Sequence, residues 1–186
     1  MDNVAEAMRR LMIVGCAKSG TTLLRRLFHA FDGVEVIPTE LSLDQLAAHK
    51  TDAPVVVGKR IWNTAFSTEL SHGNLYAQLA FAQTHGIEFI YIERDRASVV
   101  RPGLDSQRWD ACRQQATAYG DLIAHTVLYE RLLVAPNYIQ EKLAERFELT
   151  STHVWSDYPR FIPDGLIARE GLTDEPRYHL RPIGAS

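Results

Sequence analysis

The chain is expected to fold as an α/β protein with a mostly parallel sheet and helices on both faces. Three observations predict it. The runs Leu11-Met12-Ile13-Val14 and Val55-Val56-Val57 are short and continuously apolar, which suits strands buried on both faces. Segments with helical spacing of apolar residues alternate with such runs, as in βαβ units. The first run also passes through a glycine-bearing turn straight into a helical pattern.

The elements are expected in this order. Leu11–Val14 forms the first strand and stops at Gly15. Thr21 to Phe31 forms the first helix, with Leu23, Leu24, Leu27, Phe28 and Phe31 on its apolar stripe and Arg25, Arg26 and His29 elsewhere. Val34–Ile37 is a strand and Leu43–His49 a short helix. The run opened by Pro54 and carried by Val55–Val57 is a strand that ends at Gly58. Asn74–Thr84 is a helix, Phe89–Ile92 a strand and Trp109–Ile123 a helix. Val127–Tyr129 is the last strand and Tyr138–Phe147 the last clear helix. Crossovers are expected to be right-handed. After about Leu149 the periodicity fades, and residues 150–186 read as loop or a poorly ordered tail of one domain.

Size and charge narrow the possibilities. A chain of 186 residues supports one good core rather than two large domains. A formal net charge of −3 gives no general attraction to nucleic acid, so anion affinity must come from a local site. The two cysteines, Cys16 and Cys112, make neither a disulfide framework nor a zinc site, which fits a reduced, cytoplasmic setting. The seven histidines have no metal spacing. No segment reads as a signal peptide or membrane span.

Gly15-Cys16-Ala17-Lys18-Ser19-Gly20-Thr21-Thr22 links the first strand to its helix. Glycines let the backbone turn so that successive N–H groups face one anion, and the helix behind adds its positive end. Thr21 and Thr22 bring hydroxyls, and Lys18 a mobile charge. The loop of ATP- and GTP-using enzymes is G-x-x-x-x-G-K-[ST]. Gly15 and Gly20 keep that spacing, but Thr21 stands where the lysine belongs and lysine lies inside the loop. With no clear acidic strand end for magnesium, an ordinary NTPase is disfavoured.

Ala17-Lys18-Ser19-Gly20-Thr21-Thr22-Leu23-Leu24 resembles the P-K-S-G-T-T-x-L loop of sulfotransferases that use 3′-phosphoadenosine 5′-phosphosulfate (PAPS), with Ala17 in place of proline. Two more segments follow in the family's order. Ile92–Val100 resembles R-D-P-R-D-x-x-x-S, which binds the 3′-phosphate. Tyr129-Glu130-Arg131-Leu132-Leu133, then Ala135-Pro136 and Phe147-Glu148-Leu149, resembles Y-E-D-L…D-P…F-L-G-L. The likeness covers roughly residues 10 to 150. It implies a P-loop-type three-layer sheet and a site in which Lys18, Ser19, Gly20, Thr21 and Thr22 hold the 5′-phosphate. It also implies that Arg94 holds the 3′-phosphate. The family's serine falls on Pro102, and a one-residue deletion places Arg101 there instead.

The same resemblance bears on catalysis. Val36–Leu41 loosely matches the V-E-K-E-V-H-F-F segment of carbohydrate sulfotransferases, which makes Glu40 the candidate base. An exposed carboxylate near a helix N-terminus is the competing reading. Lys59 resembles the lysine of their E-K-T-P segment, against a merely solvated strand-end lysine. Gly58–Asn63 lacks the histidine of the small-molecule enzymes, which favours Glu40. Trp62 and Trp109 are candidates for stacking on a base or sugar, or for core packing. Arg169-Glu170-Gly171 is faintly similar to an R-K-G loop that closes on the 3′-phosphate. The expected activity is sulfuryl transfer from PAPS to a hydroxyl of a carbohydrate or small molecule, without a metal, leaving the bisphosphate product PAP. The alternatives are a P-loop nucleotide kinase or NTPase, and a nucleotide-binding protein that has lost catalysis. Asn63–His72 and Gly103–Arg108 are the candidate acceptor loops. Acceptor identity and oligomeric state are not legible in the sequence.

Overall fold

A computed structural model describes residues 8–62, 75–99 and 104–158. The elements are β1 (Arg9–Gly15), α1 (Thr21–Leu27), β2 (Val34–Glu40), α2 (Leu43–Ala48), β3 (Val55–Ile61), α3 (Leu75–Thr84) and β4 (Ile87–Glu93). They are followed by α4 (Arg96–Val99), α5 (Leu104–Ala118), β5 (Ile123–Leu128), α6 (Tyr129–Val134) and α7 (Pro136–Phe147). The strands form one sheet in the order β2-β3-β1-β4-β5, and every neighbouring pair is parallel.

Successive strand residues point to opposite faces, and the core divides accordingly. Leu11, Ile13, Val55, Val57, Ile90 and Ile92 pack with Leu23, Leu24 and Leu27 of α1, Leu132 of α6 and Leu143 of α7. Met12, Val14, Val56, Phe89 and Tyr91 pack in a second cluster with Leu43 and Leu46 of α2 and Cys112 of α5. Double-sided burial explains why β1 and β3 read as continuous apolar runs rather than alternating ones. Ser42 and Gln45 cap α2 reciprocally, side chain to backbone in both directions.

Several boundaries differ from the sequence expectation. The fifth helix begins at Leu104 and stops at Ala118, where a short 3₁₀ turn, Gly120–Leu122, breaks it. Ile123 therefore opens β5, and Tyr129 belongs to α6 instead of ending the last strand. The apolar Leu122 and Ile123 continue the helical spacing, but glycine and the β-branched residues that follow favour turn and strand. The first helix ends at Leu27 and tightens into a 3₁₀ turn over Phe28–Ala30.

Arg25 and Arg26 do not lie on a solvated side of α1; each is only 1% exposed. Residues 151–158 form the loop expected after Leu149, with one 3₁₀ turn at Trp155–Asp157, but the loop is packed against the core. Trp155 is fully buried, its ring centre 5.9 Å from Phe31 and 6.3 Å from Phe28, and Phe31 bridges Ser151 antiparallel. The remainder of that stretch lies outside the described residues. No helix among the described residues is long and apolar enough to cross a membrane.

Candidate functional site

The site is organised around the end of β1, the central strand. After β2 and β3 on one side, the chain crosses to β4 and β5 on the other. Ligands of open α/β sheets bind beyond the carboxyl ends of strands at such a reversal. The loop from Gly15 to Gly20 stands there.

Its shape follows from close packing. A Cβ at Gly15 would lie 2.6 Å from both the Ile92 carbonyl oxygen and Ser19 Oγ, so only glycine lets β1 and β4 approach at this point. The Ser19 amide donates to the Cys16 carbonyl at 3.0 Å and closes a tight turn. Lys18 has φ 67° and Gly20 φ 100°, both in the left-handed region. A non-glycine residue held there stores strain, a feature that concentrates at ligand-binding turns. Residues alternating between right- and left-handed conformations turn their amides to one side and form an anion-binding concavity. The Lys18 side chain is exposed, while Ser19 is 1% exposed and its hydroxyl has no hydrogen-bond partner among the described residues. A buried orphan hydroxyl is expensive unless something completes it. An anionic ligand in the loop meets that need, so these residues fit the phosphate end of a nucleotide.

On the β4 side, Arg94 donates Nη1–H to the Lys18 carbonyl at 2.9 Å, and its guanidinium lies 4.3 Å from the Tyr129 ring centre. Asp95, the neighbouring carboxylate, instead accepts from the Ser98 amide at 3.2 Å. Tyr129 is also the floor under Gly20, whose missing Cβ would fall 2.4 Å from its ring. Trp109 donates its indole N–H to the Arg94 carbonyl at 3.3 Å, and the guanidinium groups of Arg96 and Arg113 lie 5.7 and 5.3 Å from its ring centre. Trp62 is fully buried against Phe89, Tyr91 and Tyr119, so it is a core residue and no stacking platform.

On the β3 side, Glu40, the last residue of β2, is the register partner of Lys59 in β3. Lys59 Nζ donates to Glu40 Oε1 at 2.9 Å; the lysine side chain is 9% exposed and the carboxylate side chain 44%. Lys59 is therefore not the solvated strand-end lysine of the competing reading. One register row connects this pair to β1 through Ile13.

The sequence reading missed Arg25. From α1 it donates to the carbonyl of Pro38, two residues before Glu40. Burial and the neighbouring Arg26 push its guanidinium down to about 10, and the Glu40 charge partly offsets them. Two adjacent arginines inside an otherwise apolar helix, L-L-R-R-L, were the available signal. The cost of burying charge demands local partners.

Among the described residues no group of three or more histidine, cysteine or acidic side chains can hold a metal. Arg101, the loop Asn63–His72, Gly103 and Arg169-Glu170-Gly171 lie outside the described residues. Leu104–Arg108, expected as loop, is the start of α5. A concavity of about 380 Å³ between α6 and α7 is lined by Leu133, Val134, Pro136, Tyr138 and Ser156, and by none of the candidate site residues. No family model matches the chain, and no curated protein does either.

Proposed function

We propose that this chain is a cytoplasmic P-loop-type sulfotransferase that moves a sulfuryl group from 3′-phosphoadenosine 5′-phosphosulfate to a hydroxyl of a carbohydrate or small-molecule acceptor. The observation that carries the reading is the Gly15–Thr22 loop at the end of the central strand, with Lys18 in a left-handed conformation beside a buried, unpartnered Ser19 hydroxyl. The placement of lysine inside this loop, rather than after Gly20, favours it over a kinase or NTPase.

In this reading the amides of Gly20, Thr21 and Thr22 and the threonine hydroxyls hold the 5′-phosphate. Lys18, exposed on its turn, swings in to neutralise charge on the leaving-group oxygen. Glu40 takes the acceptor proton through Oε2, because Lys59 already holds Oε1 and fixes the carboxylate plane. Arg94 meets the 3′-phosphate from the far side of the loop, and Arg101 joins it. The chemistry is in-line displacement driven by positioning and charge stabilisation.

The test is calorimetric titration with 3′-phosphoadenosine 5′-phosphate, run beside ATP with magnesium. Tight, magnesium-independent binding of the bisphosphate supports the reading. Preference for ATP with magnesium overturns it in favour of the kinase. Binding without transfer to any of a panel of hydroxyl acceptors points to the catalytically lost form.

A further inference from the structure

Glu40 does not continue the ladder that β2 begins. Val36 pairs with Val57 and Glu40 with Lys59, so Ile37, Pro38 and Thr39 stand opposite Gly58 alone. β2 is the outermost strand on its side among the described residues, and a bulge on an outer strand re-aims the side chain that follows it. Pro38 suits the bulge because it has no N–H to give to a ladder. Beyond the bulge, β3 fixes the chain. The Leu41 amide donates to the Lys59 carbonyl at 3.1 Å, and Lys59 Nζ holds Glu40 Oε1 at 2.9 Å. A Cβ on Gly58 would lie 3.1 Å from Leu41 Cδ1, so this glycine makes room for the returning strand. Before the bulge, Ile37 is anchored in the second core cluster. Pro38 lies exposed between these anchors, and Arg25 takes its carbonyl.

Arg25 comes from α1, the helix that starts at the anion-binding loop. Thr21 opens that helix, about one turn before Arg25. Arg25 is only 1% exposed, so its guanidinium is packed in place. One buried side chain therefore spans from the helix behind the loop to the backbone that carries Glu40.

We propose that Arg25 is the positioning residue for Glu40: by holding the Pro38 carbonyl it sets the carboxylate's place relative to the anion-binding loop. Arg25 touches no reacting atom in this scheme. It acts through the bulge, so that the base and the group held by the loop meet at a fixed separation. Lys59 fixes the plane of the same carboxylate from the other strand. The two supports are complementary, one on the backbone before Glu40 and one on its side chain. The catalytic part rests on the reading of Glu40 and of the loop given above; the bracing of the bulge does not.

Arg25→Met keeps an apolar stem without a donor, and Arg25→Lys keeps one charged donor without the fork. Each full chain is compared with the parent by hydrogen exchange at Thr39, Glu40 and Leu41, by titration with 3′-phosphoadenosine 5′-phosphate, and by single-turnover transfer from labelled PAPS to a panel of monosaccharides and phenols. In Arg25→Met, exchange at those amides is expected to rise about tenfold or more while β1 is unchanged. Bisphosphate affinity should stay within about threefold, whereas turnover falls by about 10- to 100-fold, the scale of a misplacement of about 1 Å. Arg25→Lys should recover part of both losses. In a Glu40→Gln background Arg25→Met should cost little more, because the base it positions is already gone. Unchanged exchange, undiminished turnover, or the same loss with and without Glu40→Gln overturns the proposal. Should Arg25→Met not fold, Arg25→Lys carries the same comparison, and a lysine variant identical to the parent in exchange and turnover overturns it. A parent chain that neither binds the bisphosphate nor transfers sinks the sulfotransferase reading and the catalytic part with it, while exchange still decides whether Arg25 holds the bulge.

Discussion

Arg94 reaches from the end of β4 and donates to the carbonyl of Lys18, 2.9 Å away, while the Tyr129 ring supports its guanidinium. The carbonyl it holds belongs to the residue whose backbone is in the left-handed region. Arg94 thus braces the strained corner of the loop and links the two phosphate positions proposed here. Arg94→Ala is expected to weaken bisphosphate affinity by about 10- to 100-fold, the span of a charge-assisted hydrogen bond of roughly 1.5–3 kcal/mol. Arg94→Lys, which keeps charge but not the fork, should recover only part of it. Calorimetry on both variants decides: equal affinity to the parent chain removes Arg94 from the site.

Lys18 itself carries no structural duty through its exposed side chain. Lys18→Ala should therefore leave the denaturation midpoint unchanged while lowering turnover on the order of 10²-fold or more, as for other lost charge stabilisers. A variant with full turnover would exclude the role given to this lysine.

The Glu40–Lys59 pair makes a different prediction. Glu40→Gln preserves an acceptor for the buried ammonium, so the fold and bisphosphate affinity should hold. Turnover should fall by about 10²- to 10⁴-fold, the usual worth of a general base. Glu40→Leu, in contrast, leaves Lys59 buried and unpaired, and should destabilise the chain by a few kcal/mol. Denaturant unfolding and single-turnover transfer on the two variants separate the base from a purely structural carboxylate.

Much of this architecture was legible in the sequence, and the exceptions have physical causes. β1, β3 and β4 announced themselves because double-sided burial leaves continuous apolar runs such as Leu11–Val14 and Val55–Val57. The turn carrying Lys18 was readable because its glycines are imposed by steric contact at Gly15 and Gly20. Arg25 was not, because polarity predicts exposure unless buried acceptors such as the Pro38 carbonyl are known, and those come from another strand. Trp155 was missed for the same kind of reason: it sits in a segment without periodicity and is buried by Phe28 and Phe31, over a hundred residues earlier.

Gly20 gives a stability prediction. It needs φ 100°, and a Cβ would fall 2.4 Å from the Tyr129 ring. Gly20→Ala should cost about 1–3 kcal/mol from backbone strain alone, with the clash added. The double variant with Tyr129→Leu relieves the clash but not the strain, so it should recover only part of the loss. Complete recovery in chemical denaturation would mean that the left-handed backbone is not required.

His29 reports on the buried arginines. Burial, then Arg25 and Arg26, push its imidazole down to about 4 from the ordinary 6.5. The folded chain therefore keeps His29 neutral, while the unfolded chain takes up its proton below about pH 6.5. Between those values the unfolded state binds more protons, so stability from this group is complete above pH 6.5 and declines as the pH falls toward 4. The full span corresponds to something on the order of 3 kcal/mol. Acidic side chains contribute their own slope in this range, so the informative quantity is the difference between the parent chain and His29→Phe, which cannot titrate. From pH 7 to pH 4.5 the parent should lose stability relative to the variant. Parallel curves would show that His29 takes up its proton equally in the folded and unfolded chain, and hence that burial and the Arg25 and Arg26 charges do not hold it neutral.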